Sequence, residues 1–182
     1  GYRVTMNVTA DVAGIDRPEN RAEETQRLLT MVKIFSEGAT LVHSLKDKEA
    51  VRKQVLEALE DFDQQFLNAL IRRRKQLLDR QQWGEDMSEE FPNDILMALM
   101  RNQERLHLSH ELLRREIAFY LQAGSHSTGS ASTHAFHELW EWIQSHPEDE
   151  GLLRKDLFLI QRCVFETLRL HPASPVAWRK AL

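Results

Sequence analysis

The stretch Phe119-Tyr-Leu-Gln-Ala-Gly-Ser-His-Ser-Thr-Gly-Ser-Ala-Ser-Thr-His134 decides how this chain is read. No Asp, Glu, Lys or Arg occurs between Glu116 and Glu138, although 29% of the 182 residues are charged. Gly124, Gly129 and the hydroxyl residues Ser125, Ser127, Thr128, Ser130, Ser132 and Thr133 are indifferent or poor helix formers, so composition alone favours a loop. The flanks argue for a helix. Leu113, Ile117, Phe119, Tyr120 and Leu121 give an apolar helical pattern on one side, and Phe136, Leu139, Trp140 and Ile143 resume it on the other. The segment is therefore read as part of one long helix, with Ser109 as N-cap, Glu111 in the first turn and Pro147 closing it. Small residues suit a helix that something must approach closely. Glycine removes the side chain, and a Ser or Thr hydroxyl that bonds back to the carbonyl four residues earlier is expected to loosen the ladder and open a notch.

Outward from that helix, the rest of the chain also reads as helix. Val4, Val8 and Val12 recur every four residues, which suits a short helix ended by Gly14, with a strand as the alternative because these residues are β-branched. A second helix is expected from about Glu19 to Glu37, with Leu28, Leu29, Val32 and Phe35 on one face and Gly38 as its stop. Between Gly38 and Gly84 there is neither Gly nor Pro. Val51, Val55, Leu59, Phe62, Phe66 and Leu70 there predict one long amphipathic core helix, capped by Asp47 or Ser44. Trp83 to Pro92 is an acidic loop, and a short helix follows from Asn93 or Asp94 to about Arg101. The last helix is expected over Leu152–Leu170, with Leu157, Ile160, Val164 and Leu168 facing inward, and an extended segment after Pro172. The fold class is mainly α.

Composition narrows the function. A net charge of -4 gives no general attraction to nucleic acid or to an anionic membrane. The run Arg72-Arg-Arg-Lys75 reads as the solvated late turns of a helix. No apolar run approaches a membrane span, and no signal peptide opens the chain. The single cysteine, Cys163, excludes an intrachain disulfide framework and fits a reducing, cytoplasmic setting. Cys163 itself, in a helical run without a neighbouring glycine, reads as a packed or half-buried thiol. His126, His134 and His137 match no zinc-site spacing and are read as surface histidines, so no metal site is assigned.

Two motifs carry a resemblance. Ala123-Gly124-Ser125-His126-Ser127 lines up with Ala/Gly-Gly-x-Asp/Glu-Thr, and Glu166-Thr-Leu-Arg-Leu-His-Pro172 contains Glu-x-x-Arg followed by Leu, an aromatic or His, and Pro. In this order, followed by Ala173-Ser-Pro-Val-Ala-Trp-Arg179, they resemble the cytochrome P-450 (haem-thiolate monooxygenase) family. The resemblance implies a partial P-450-type helical fold over residues 1–182, lacking the N-terminal part and the C-terminal haem-cysteine loop. It implies a parent enzyme that inserts one oxygen atom from dioxygen into a small apolar organic substrate. Haem b would be the cofactor, and a ferredoxin or reductase would supply electrons.

Residue by residue, the resemblance puts Ser127 at the proton-delivering alcohol, with Thr128 one step on, and His126 where the family has an acid. A histidine can carry protons near neutral pH, so relay by another route stays open beside a substrate- or water-contacting role. Ala123 and Gly124 would lie against the haem, and Arg179 would reach a propionate. Glu166 and Arg169 would form the structural pair that a later arginine completes. Ser174, Val176 and Ala177 would line the substrate pocket. Cys163 does not stand in for the axial thiolate, so this chain alone is expected to be inactive. The alternative from another class is a catalytically inert helical scaffold or binding protein derived from that family.

Overall fold

A computed structural model describes residues 2–17, 21–43, 45–86 and 90–173. Among the described residues every regular element is helical. They are α1 (Tyr2–Ala13), α2 (Arg21–Ala39), α3 (Lys48–Phe62), α4 (Asn68–Gln82), α5 (Ile95–Arg101), α6 (His110–Ser145), α7 (Glu150–Leu153) and α8 (Leu157–Leu170), with short 3-10 turns at Leu41–His43 and Pro147–Asp149. The chain divides within α6 into two compact units, Arg3–Ser125 and His126–Leu182, the second including Gly1–Tyr2.

The Arg3–Ser125 unit closes a continuous core. Met6 and Ala10 of α1, Leu28 and Val32 of α2, Phe62 of α3, Leu70 of α4, Leu96 of α5 and Leu113, Ile117 and Leu121 of α6 are all buried within it. Phe62 meets the ring of Phe35 edge-on at 6.0 Å, the arrangement that aromatic quadrupoles favour. The long stripe through α3 and α4 packs as its periodicity predicts, with Asp47 accepting from the Glu49 amide at 3.0 Å as the cap. Its continuity is altered in the middle, where Asp63–Leu67 is a π-helical turn. There the half-exposed His110 reaches the buried Asp63 carboxylate at 2.8 Å, and Arg114 lies 3.7 Å from it, so the wide turn is tied to the first turns of α6.

Local details depart from what the sequence pattern alone suggests. In α1 the valines at positions 4, 8 and 12 face solvent, and the buried face is Thr5, Met6, Ala10 and Ala13. A four-residue apolar repeat establishes a helix but not which stripe docks; here Met6, flanked by the small Thr5, Ala10 and Ala13, forms the docked face. Gly14 does end α1, at φ +87°, a conformation that L side chains rarely adopt.

Gly38 does not stop α2, which continues to Ala39. A Cβ at this position would stand 2.8 Å from Val55 Cγ2, so the glycine serves the approach of α3. Arg74, within the basic run expected to be solvated, is buried: it donates to the Gly14 carbonyl at 3.0 Å and pairs with Asp94 at 2.6 Å. Asp94 also caps α5 through the Met97 amide at 2.8 Å. One guanidinium in the middle of α4 thus joins the C-terminal end of α1 to the N-terminus of α5, and losing Asp94 or Arg74 would leave a buried charge uncompensated.

In the His126–Leu182 unit, the single helix expected over Leu152–Leu170 is two, α7 and α8. Asp156 imposes the break by accepting from the amides of Phe158 and Leu159 at 2.9 and 3.0 Å, an N-cap that sets extended backbone at its own position. Leu157, Phe158, Phe165 and Leu168 of α8 are exposed, so the face expected to point inward is only partly covered. The extended segment expected after Pro172 lies from residue 174 outside the described residues.

Candidate functional site

The small-residue stretch is helical. Thr133 Oγ1 donates back to the Gly129 carbonyl at 2.9 Å, as hydroxyl residues in helices do. The expected notch is not formed, because α6 continues without interruption to Ser145. A back-bond can share a carbonyl lone pair with the helical amide, so it need not break the ladder.

On this helix the candidate residues point to different places. Ala123 is exposed. Gly124 faces α1: a Cβ there would lie 2.7 Å from Thr9 Cγ2. Ser125 is buried in the same contact, its carbonyl accepting from Thr5 Oγ1 at 3.3 Å while its own hydroxyl has no partner among the described residues. Two small residues at the motif's centre therefore serve helix packing. His126 is half-buried, its ring edge-on to Tyr2 at 5.5 Å.

Ser127 and Thr128 come next on the helix and line a groove of about 490 Å³. Its floor continues along α6 through Ala131, Ser132 and Ala135, and its other wall is Ile160, Val164 and Leu168 of α8. Residues of the two stretches are thus brought together, and three of the four α8 residues expected to face inward, Ile160, Val164 and Leu168, form the wall, whereas Leu157 is exposed. The groove is apolar apart from the hydroxyls of Ser127, Thr128 and Ser132, which can donate and accept but carry no charge.

The apolar lining and its three uncharged hydroxyls supply no axial ligand for the haem that the resemblance implies. Among the described residues no Cys or His lines this groove; Cys163, half-buried and free, lines a second groove with Trp142, Leu153 and Leu159. Among the described residues no group of three or more His, Cys, Asp and Glu is arranged to hold a metal ion. His134 stacks on His171 at 4.4 Å, His171 reaches Glu138 at 2.7 Å, and His137 lies 3.6 Å from Glu141.

Glu166 and Arg169 form a two-pronged ion pair, with Arg169 Nη2 at 2.6 Å and Nε at 2.9 Å from the carboxylate oxygens. The hydrogen bond from Arg169 holds the Glu166 carboxyl below its ordinary pKa, and the same bond raises that of Arg169. Both side chains stand more than half in solvent, so the pair is screened and contributes little to stability by itself. Arg179, Ser174, Val176 and Ala177, the expected propionate partner and pocket wall, lie outside the described residues. Sequence reasoning missed the π-helical turn at Asp63 and the packing role of Gly124; neither leaves a periodic signal, because each is decided by the partner helix.

Among the described residues no helix is long and apolar enough to cross a membrane. No family model, no curated protein and no solved structure matches the chain.

Proposed function

We propose that this chain is part of a haem-dependent monooxygenase that inserts one oxygen atom from dioxygen into a small apolar organic substrate, with electrons from a ferredoxin or reductase. The reading rests on the resemblance of the two motifs. One observation supports it above the others: Ser127 and Thr128 stand on an apolar groove walled by the helix that carries Glu166 and Arg169. Bound haem would supply oxygen activation. The chain's own contribution would be an apolar lining that excludes water and hydroxyls at Ser127 and Thr128 that hold and pass protons. The axial thiolate would come from residues outside these 182, because Cys163 opens on the other groove. That position of Cys163 also favours the second reading, an inert helical scaffold of the same descent.

The test is the coding sequence around these residues and the spectrum of its full product. The expected result is a downstream glycine-flanked cysteine loop, and a haem protein whose reduced, carbon monoxide-bound spectrum is that of thiolate ligation. Replacing Ser127 and Thr128 together by Ala and Val should then lower substrate oxidation relative to oxygen consumed. A full product that binds no haem overturns the enzyme reading and leaves the scaffold.

A further inference from the structure

We propose that the groove where α2, α3 and α6 meet in the Arg3–Ser125 unit binds a small amphipathic carboxylate, with its hydrocarbon on the apolar floor and its carboxylate on Arg52 and Arg115. The proposal does not rest on the haem reading, since the groove belongs to a different unit and its lining to residues that neither motif includes.

The groove holds about 440 Å³, within the range of roughly 300–1,000 Å³ usual for small-molecule sites. Phe35, Leu59 and Ala118 form a floor already buried by the fold. Leu56 of α3 and Phe119 of α6 also line it, yet are 50% and 58% exposed. Two large apolar side chains on different helices are therefore left to water beside one concavity, and an apolar ligand would cover both.

The charge along this groove has one sign. Arg52 and Arg115 line it and, among the described residues, no acid does. Their partners Glu49 and Glu111, at 2.6 and 2.7 Å, sit one turn away on the same helices and outside the lining. Such exposed same-helix pairs are weak and salt-screened. Each of these contacts engages one guanidinium nitrogen, leaving further N–H donors for the planar, forked recognition of a carboxylate. An apolar floor with guanidinium groups on its margin fits an anionic head on a hydrocarbon body. It gives a neutral ligand no polar advantage and opposes a cationic one.

The experiment is titration of the 182-residue chain with dodecanoate, dodecan-1-ol and dodecylammonium below their aggregation limits, followed by calorimetry and by NMR of Leu56 and Phe119. Dodecanoate should bind about tenfold more tightly than the alcohol, the gain expected of charge-assisted hydrogen bonds, with dodecylammonium weakest. In R52Q/R115Q, both exposed positions, dodecanoate should fall to the level of the alcohol with the melting temperature unchanged. L56E should weaken the alcohol and dodecanoate alike. Equal affinity for the three probes, an unaltered dodecanoate affinity in R52Q/R115Q, or shifts that avoid Leu56 and Phe119 would each overturn the proposal. So would self-association at these residues without probe binding, which would assign the groove to a second copy of the chain.

Discussion

The two units differ in how far they satisfy themselves. Arg3–Ser125 buries large side chains from every one of its helices, and its buried charges meet: Arg74 with Asp94, and Arg17 with the Asp11 carboxylate and the Ile15 carbonyl. In His126–Leu182 the buried side chains are few and mostly small, Ala135, Leu153 and Thr167 among them, whereas Phe136, Trp140, Leu157, Phe158 and Phe165 are exposed. Both units are helical with similar amphipathic patterning. Pattern therefore sets the helices but not how completely a face is covered, and the unit with the open face also carries Ser127, Thr128 and the Glu166–Arg169 pair.

That comparison breaks most easily at the aromatic residues. Phe62→Ala should destabilise the folded chain by about 3–5 kcal/mol, because it leaves a cavity in a packed core, whereas Phe136→Ala should stay within about 0.5 kcal/mol. Chemical denaturation of both variants decides it; comparable losses would mean that the second unit is as tightly packed as the first.

A smaller effect sharpens the role of Gly124. Gly124→Ala should destabilise by about 1–3 kcal/mol through overpacking against Thr9, partly offset by the better helix propensity of alanine. In a Thr9→Ala background the nearest atom is removed, so the same substitution should become neutral or stabilising. A cost that persists in that background would show that something other than α1 requires the glycine.

The smallest effect concerns Glu166. Its folded pKa is lowered by the bond to Arg169, so the stability it contributes is present above the unfolded value and is lost as pH falls through the folded one. Since the pair stands in water, the expected readout is the titration itself. By NMR the Glu166 carboxyl should titrate below the ordinary glutamate value, and Arg169→Gln should return it toward that value. Identical midpoints in both proteins would remove the pair as a local constraint.

The long helices were legible because their apolar positions repeat with the helical period and their caps are local chemistry. Asp47, Asp94 and Ser109 each act on an amide two or three residues away. The groove was legible in part. Ser127 and Thr128 could be named from their motif, and Ile160, Val164 and Leu168 from the apolar repeat of the last helix, but their meeting depends on how α8 lies along α6. The groove bearing Arg52 and Arg115 left no sequence signal, since its walls come from three helices far apart in the chain.

By itself, then, the sequence determined the helical class, most caps and the course of α6 through its small residues, all consequences of interactions within a few residues. Tertiary structure alone decided that Gly38 and Gly124 are contact points, that Arg74 is buried, that the valines of α1 face water, and that Cys163 and Ser127 open on different grooves. Those outcomes depend on which neighbour arrives at each side chain, and no local periodicity encodes the neighbour.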